Sequence, residues 1–209
     1  MKLTWLGHSC FLAEQDGYTI LLDPYAGVEG YPPLAERKLR VHKILCSHGH
    51  FDHNAADQAE AVPFQGECPF EIRAVKTFHD DQGGALRGTN TVHILSAGGV
   101  AIAHMGDLGH RLTAEQVKAI GPLDAVLIPV GGYYTIDAAG AKAVCDALNP
   151  RCVIPMHYRH APYGLPNVAG VEGFLALWPQ AEVRRLEGPS LNVDGSARGV
   201  MVPSFREEA

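Results

Sequence analysis

Residues 47–54 read Ser-His-Gly-His-Phe-Asp-His-Asn, and this stretch governs the interpretation of the whole chain. Three imidazoles and one carboxylate fall within six consecutive positions, a density that the packing of a fold does not require. Imidazole nitrogens and carboxylate oxygens are the ligands that zinc, iron and manganese take in proteins. The alternative, a chance cluster of surface histidines, is disfavoured by the number of donors. The stretch therefore predicts a metal site built on His48, His50, Asp52 and His53.

The backbone around this stretch sets the directions of its donors. Residues 43–46 are short, apolar and bounded by polar residues, as expected of a buried strand. Alternate side chains of extended backbone point the same way, so His48 and His50 can converge on one ion. We predict a helix over about residues 52–61. There the adjacent Asp52 and His53 point in different directions and suit a second ion.

Three further donors follow probable strands elsewhere in the chain. His79 follows the alternating residues 71–78, Asp107 follows the apolar residues 100–106, and His157 follows residues 152–156. Open α/β sheets place their sites just outside strand ends, which favours a shared site. Taken singly, each residue is equally well explained as an ordinary polar residue of a loop or core.

The order of these donors resembles the ligand pattern of the metallo-β-lactamase superfamily: His-x-His-x-Asp-His, then a His, a bridging Asp and a final His. The resemblance implies a dinuclear site with zinc as the first choice and manganese or iron as alternatives. One ion would be held by His48, His50 and His79. The other would be held by Asp52, His53 and His157, with Asp107 bridging the two.

Shorter segments extend the resemblance over positions 23–157. Residues 21–24 and 105–107 are similar to two turns of the family. Residues 5–11, 78–80, 87–91 and 155–158 resemble its compact branch of metal-dependent hydrolases, relatives of the ascorbate-6-phosphate lactonases. No insertion is similar to the RNA-binding arm of transfer RNA processing relatives, and His50 stands where the oxygen-reducing flavodiiron relatives usually carry an acid. The resemblance implies an αβ/βα sandwich of two mixed sheets flanked by helices.

Periodicity and turn signals by themselves support an α/β fold and one domain over residues 1–209. Two hairpins are predicted, one around Asp16-Gly17 within residues 2–23 and one around Gly98-Gly99 within residues 91–102. The predicted helices and later strands are a helix from the capping box at Thr113 to about Ile120, a strand over 124–128, helices over 137–148 and 171–178, and strands on either side of Gly188-Pro189.

Composition narrows the partners. The net charge is −6 and the pI is near 6.0, so nothing draws the chain towards polyanions, and nucleic acid is an unexpected partner. The five cysteines are scattered and odd in number, which predicts a reducing compartment, the cytoplasm. The sequence has no uninterrupted apolar run of the kind found in signal peptides and membrane spans, so neither is predicted. We expect a small-molecule substrate; a homo-oligomer stays open.

The predicted chemistry follows from the metals. A hydroxide between two divalent ions is a nucleophile at neutral pH, because the ions lower the pKa of bound water from about 16 to about 7. Asp52 or Asp107 would accept its proton. The predicted reaction is hydrolysis of an ester, lactone, amide or phosphodiester in a small molecule. Two alternatives remain: a nuclease or phosphodiesterase acting on nucleic acid or nucleotides, and an iron-dependent sulfur dioxygenase or a non-catalytic metal-binding protein.

Five more residues are candidates for orienting ligands or contacting substrate. Asp23 would accept a hydrogen bond from a metal-binding histidine, and His8 would line the site. The remaining three lie near proposed ligands in the sequence, and each has an alternative as a structural or surface residue: His110, Tyr158 and His160.

Overall fold

The computed structural model describes residues 1–205. Over these residues the chain forms, in order, the strands β1 (Lys2–Gly7), β2 (Cys10–Gln15), β3 (Tyr18–Leu22), β4 (Arg40–Val41), β5 (Lys43–Leu45), β6 (Glu60–Ala61), β7 (Glu71–Phe78), β8 (Thr89–Ala97), β9 (Val100–His104), β10 (Ala125–Pro129), β11 (Cys152–Met156), β12 (Val183–Arg185), β13 (Ser190–Asn192) and β14 (Gly199–Val202). The α-helices are α1 (Ala114–Ile120), α2 (Ala138–Leu148) and α3 (Glu172–Leu175). None of the helices in the described part of the chain has the length and apolarity needed to span a bilayer.

Two mixed sheets carry the fold, as predicted. The five-stranded sheet has the order β13-β1-β2-β3-β5, in which only β3 and β5 pair in parallel. The seven-stranded sheet has the order β12-β14-β11-β10-β9-β8-β7 and is parallel from β12 to β9. β8 and β7 continue that sheet in antiparallel pairs. A separate short pair joins β4 to β6.

The main hydrophobic core lies between the two sheets. Ile20 and Leu22 of β3 belong to one buried cluster with Ile94 of β8 and Ile102 of β9, whereas Leu21 belongs to a second cluster. This division follows from the two-residue period of a strand, which sends alternate side chains to opposite faces.

The outer faces of the two sheets are covered differently. α1 packs against β7 and α2 against β10, so these helices cover the seven-stranded sheet. The outer face of the five-stranded sheet is covered by the segment after β3, whose Tyr25, Val28 and Leu34 share the second cluster. The helical layer there is reduced to a 3₁₀ turn at Leu34–Arg37.

The hairpins and the first two helices are confirmed. β2 and β3 pair across Asp16-Gly17, and β8 and β9 across Gly98-Gly99. Thr113 caps α1 with the complete capping box, in which its side chain accepts from the Gln116 N–H. Asp137 caps α2, whose buried residues recur at helical spacing: Ala141, Val144, Cys145 and Leu148.

The predicted helix over residues 52–61 is wrong. The structure has turns there and a single 3₁₀ turn at Ala56–Gln58. The Ala55 N–H donates to the Pro24 carbonyl, and the Phe51 carbonyl accepts from the Ala26 N–H. An α-helix would pair those two groups with each other, so contacts with the segment after β3 displace the first helical hydrogen bond.

The last helix is shorter than predicted. α3 contains only Glu172–Leu175, and the chain continues to Trp178 through tighter turns, in which the Trp178 N–H donates to the Leu175 carbonyl. Pro179 follows directly, and a proline disfavours helical backbone in the residue before it.

Candidate metal centre

The candidate donors come from both sheets and follow the ends of their strands. In the five-stranded sheet, His8 follows β1, Asp23 follows β3, and the 48–53 stretch follows β5. In the seven-stranded sheet, His79 follows β7, while Asp107 and His157 come shortly after β9 and β11. Their side chains meet in one place, so the centre joins the two halves of the sandwich.

Asp107 lies in the middle of the cluster. Its Oδ2 is 3.1 Å from His79 Nε2 and 3.4 Å from His157 Nε2. The same oxygen is 3.9 Å from His48 Nε2, and Oδ1 is 3.1 Å from His53 Nε2. One carboxylate thus faces histidines on both sides, as the bridging role implied by the resemblance requires.

Around Asp107 the other donors form two main groups, in each of which one nitrogen or oxygen per residue lies within 4.8 Å of the others. These groups match the two ligand sets implied by the resemblance, except that His8 joins the second. The first group is His48, His50 and His79. The second is His8, Asp52, His53 and His157.

Several of these buried atoms lack a hydrogen-bond partner among the described residues. They are Nε2 of His53, both ring nitrogens of His79 and of His157, and Oδ1 of Asp107. A buried polar atom without a partner costs about 1–3 kcal/mol. The short separations between them do not have the angles of hydrogen bonds, but atoms that bind a common ion at about 2 Å lie roughly 3–4 Å apart. The donor set therefore fits divalent metal ions.

Asp23 anchors the first sheet's side of the cluster. Its Oδ2 lies 2.7 Å from Nδ1 of His53 and accepts from the Ser47 hydroxyl at 2.6 Å. Its Oδ1 accepts from the Ser47 backbone N–H at 2.7 Å. Burial raises the pKa of Asp23, but His104 and His53 outweigh it and hold the value at about 2. An ionised Asp23 thus fixes the His53 ring with Nε2 towards Asp107.

Asn90 performs the corresponding function for Asp107. Its buried side chain accepts from the Asp107 N–H at 3.0 Å and donates to the Met105 carbonyl at 2.8 Å. Gly106, between them, has φ +55°, and a Cβ there would overlap the side chains of Asn90 and Ser47. Gly106 is therefore needed both for its backbone conformation and for its lack of a side chain.

The protonation states of His8, His48 and Asp107 suit metal binding. Burial and the neighbouring His157 lower the pKa of His8 to about 4, and burial with His53 lowers that of His48 to about 4. Burial raises the pKa of Asp107, but His157 and His53 hold it well below its usual value. At neutral pH the two histidines are neutral and the carboxylate is ionised, as metal ligands must be. The carboxylates raise the pKa of His53 against the effect of burial, so metal binding there would release a proton.

His8 is a stronger candidate for the metal centre than its place in the sequence indicated. It is buried, and its Nε2 lies 3.2 Å from Oδ2 of Asp52. Its ring also lies against that of His157, with centroids 4.2 Å apart and the planes tilted by 47°. Its place in the second group depends on the pairing of β1 within the five-stranded sheet, and a local motif does not reveal that.

The cluster lies at the bottom of a cavity of about 520 Å³. From the cluster, His50, Asp52, His79 and Asp107 line it. The other lining residues are Gly49, Phe51, Arg87, Tyr134 and Leu165. Arg87 belongs to the 87–91 segment that resembles the compact branch.

Three predicted candidates do not line this cavity. Tyr158 stacks on Trp5 at 5.5 Å, and Nε2 of His160 lies 2.9 Å from the Tyr31 hydroxyl. They follow His157, whose φ of +50° turns the chain, and they line a separate pocket beside Trp5. His110 accepts from the Phe78 N–H at 3.1 Å, and its other ring nitrogen lies 2.7 Å from the Arg111 carbonyl. Both ring nitrogens of His110 are therefore engaged by backbone.

Comparison with known proteins agrees with this geometry. A family model described as "Beta-lactamase superfamily domain" matches residues 2–157. A UPF0173 metal-dependent hydrolase of Carboxydothermus hydrogenoformans is 31% identical over 195 residues, covering 78% of this chain and 86% of that protein. Another, of Archaeoglobus fulgidus, is 29% identical over 197 residues, with coverages of 78% and 85%.

A crystal structure extends the comparison to the whole fold. A Thermotoga maritima protein of the metallo-β-lactamase superfamily, named as a Zn-dependent hydrolase, is 34% identical with a TM-score of 0.78. The alignment covers 98% of this chain and 99% of that one. The resemblance found in the sequence is thereby confirmed. The chain belongs to the metallo-β-lactamase superfamily, within the UPF0173 group of metal-dependent hydrolases.

Proposed function

We propose that the protein binds two divalent metal ions, zinc in the first instance, and hydrolyses an ester, lactone, amide or phosphodiester bond in a small molecule. The observation that carries this proposal is the set of buried imidazole and carboxylate atoms that lack hydrogen-bond partners and face one another across Asp107. In polar clusters with a purely structural role, the buried atoms form hydrogen bonds with one another. Here several buried nitrogen and oxygen atoms have no such partner and lie close enough together to bind common ions. Zinc is the first choice because the Thermotoga relative is named for it.

The number of ions follows from the two groups. Four protein donors plus a water complete a small coordination shell, and seven or eight side chains exceed what one ion holds. His48, His50 and His79 would hold one ion. Asp52, His53 and His157 would hold the other ion, and Asp107 would lie between the two. His8, beside Asp52, is a further candidate ligand of the second ion. Manganese and iron accept the same donors.

Bound there, divalent ions supply a water of lowered pKa and a Lewis acid. The protein's residues then have three tasks. Asp52 and Asp107 both line the cavity and can accept a proton from an attacking water. His8 Nε2 lies 3.2 Å from Oδ2 of Asp52 and can hold that carboxylate in its orientation. Asp23 and Asn90 fix the orientations of His53 and Asp107.

The described lining of this cavity offers no serine, threonine or cysteine nucleophile. Among the described residues, its lining contains imidazole, carboxylate, guanidinium and phenol groups but no Ser, Thr or Cys. The Ser47 hydroxyl, which is close in sequence, donates to Asp23. Attack by water is therefore the route that the residues support.

The proposal is tested by metal analysis followed by a substrate panel. We expect about two equivalents of zinc or manganese per chain and turnover of at least one of 4-nitrophenyl butyrate, a γ-lactone or bis(4-nitrophenyl) phosphate. His50→Ala should abolish turnover, and Asn54→Ala, an exposed neighbour outside the cluster, should not. Activity on the diester alone would favour a phosphodiesterase. Iron as the sole metal with no hydrolysis would contradict the proposal and favour the oxygenase alternative.

We also propose a cytoplasmic location and a small-molecule partner. All five cysteines are free thiols in the structure, which supports a reducing compartment. The net charge of −6 gives no attraction to nucleic acid or anionic lipid.

A further inference from the structure

We propose that Arg87 binds an anionic group of the substrate, so that the natural substrate carries a carboxylate or phosphate beside the scissile bond together with an apolar portion. This inference rests on the proposed function, since it concerns the same cavity. The observation that carries it is that Arg87 lines the same cavity as the metal donors His79 and Asp107.

The position of Arg87 is fixed relative to the metal donors. Asp80, next to His79, accepts four backbone N–H groups, those of Gln82, Gly84, Leu86 and Arg87, at 2.8–2.9 Å. The loop is closed again where the His79 N–H donates to the Gly88 carbonyl at 3.0 Å. His79 and Arg87 therefore stand at the two ends of one tightly tied loop, and both line the cavity.

The guanidinium keeps most of its hydrogen-bonding capacity. Its Nη2 donates to the Tyr133 carbonyl at 3.3 Å, and the group lies over the Tyr134 ring at 5.9 Å. Within residues 1–205 it has no carboxylate partner. An arginine has five N–H donors in a fork that matches carboxylate and phosphate oxygens. These contacts orient the fork while leaving donors for a ligand.

Charge explains why that ligand should be an anion. Two divalent ions would bring four positive charges, offset by the carboxylates of Asp52 and Asp107, the ionised Asp23 against His53 and the hydroxide that the ions generate. The loaded centre would then be close to neutral, and Arg87 would leave one positive charge in the same cavity without a carboxylate partner among the described residues. A charge without a counter-charge attracts an ion of opposite sign, the more strongly where water is partly excluded. A substrate with an anionic group supplies that charge.

The remaining lining indicates an apolar portion in the substrate. Tyr134 and Leu165 line the cavity beside Arg87, and Phe51 lies at its mouth with 59% of its surface exposed. An exposed aromatic side chain at a cavity entrance is typical of a ligand-contacting surface. The combination suits an acyl or aryl group joined to an acid rather than a sugar or a free inorganic anion.

The test combines kinetics and binding for the metal-loaded enzyme and its Arg87→Gln and Arg87→Lys variants. The esters are neutral 4-nitrophenyl butyrate and anionic mono-4-nitrophenyl glutarate. We expect Arg87→Gln to lower kcat/KM for the anionic ester about tenfold or more beyond its effect on the neutral one, mainly through KM. Arg87→Lys should retain part of the preference. Arg184→Gln, an exposed charge on β12 at the opposite edge of the sheet, should change neither.

The binding arm does not depend on turnover. Calorimetry with 4-phenylbutyrate, phenylphosphonate and the neutral 4-phenylbutyramide is carried out on the metal-loaded and the chelator-treated protein. We expect the acids to bind more tightly than the amide in both forms, and Arg87→Gln to remove that preference in the chelator-treated protein. The tighter acid identifies carboxylate or phosphate as the preferred anion.

The outcomes separate the two proposals. If the enzyme hydrolyses neither ester and no other substrate of the panel, the proposed function is contradicted. The binding measurements alone would then decide whether Arg87 binds an anion. Equal binding of acid and amide by the wild-type protein, or an unchanged preference in Arg87→Gln, would overturn the anion-binding role. Equal losses for both esters, with a lower Tm, would show that Arg87 only ties its loop to Tyr133 and would also overturn it.

Discussion

Asn90→Ala is the substitution that most directly tests how the fold positions Asp107. The Asn90 side chain is fully buried between β7 and the turn after β9. Its amide nitrogen donates to the Met105 carbonyl and the Thr77 hydroxyl, each at 2.8 Å, and its oxygen accepts from the Asp107 N–H at 3.0 Å. Alanine removes all three hydrogen bonds without changing the backbone of β8.

The expected loss can be worked out from the groups left behind. The Thr77 hydroxyl still donates to the Asn90 carbonyl at 3.2 Å, so it keeps a partner. The Met105 carbonyl and the Asp107 N–H lose theirs, and a buried unpaired group costs about 1–3 kcal/mol. We therefore expect the free energy of unfolding to fall by about 2–6 kcal/mol, a large part of the roughly 5–15 kcal/mol of an ordinary domain.

Urea unfolding of the chelator-treated protein, followed by tryptophan fluorescence, measures this loss without a contribution from bound metal. Asn192→Ala is the matched control, because its side chain is exposed on β13 and its loss should cost less than about 0.5 kcal/mol. Metal titration of the same variant should show weaker binding, since Asp107 is no longer held in place. An Asn90→Ala protein as stable as the control would refute the positioning argument.

Three further outcomes are expected. Asp107→Ala should lose at least one metal equivalent and all turnover while keeping its far-ultraviolet circular dichroism; full metal stoichiometry by mass spectrometry would contradict the bridging role. Gly106→Ala should lower the free energy of unfolding by about 1–3 kcal/mol more than Gly27→Ala, because both have positive φ but only at Gly106 would the new Cβ meet other side chains; equal losses in urea unfolding would show that crowding is unimportant. Each bound zinc ion, at 100 times the Kd of its site, should stabilise the folded state by about 2.7 kcal/mol, seen as a higher Tm by calorimetry; an unchanged Tm would mean that zinc does not bind the folded protein in preference to the unfolded chain.

Much of this centre could be predicted from the sequence because its donors are tied to local signals. The 48–53 stretch is a continuous motif, and His79, Asp107 and His157 each follow a strand that its apolar pattern reveals. Strand ends in an α/β fold gather at one edge of the sheet. Recognising each strand from its local pattern therefore predicts that the donors following the strands lie close together.

What the sequence did not reveal depends on contacts between distant segments. His8 is expected from the sequence to line the site, but its contact with Asp52, 44 residues along the chain, depends on the packing of β1. The expected helix over 52–61 fails because Pro24 and Ala26 take its hydrogen-bonding groups. Arg87 enters the cavity because the carboxylate of Asp80 folds the loop between them. In each case the local residue pattern does not identify the partner of the hydrogen-bonding group.

Because the candidate ligands come from both sheets, metal binding would have a mechanical consequence. Ions shared by His48 or His53 on one side and by His79 or His157 on the other would cross-link the two halves of the sandwich at this edge. Hydrogen exchange of the metal-loaded protein should then be slowed in β5 and β11 together, although these strands never pair. Chelation should restore fast exchange in both strands at once, because the two halves could then slide against each other without breaking a coordination bond.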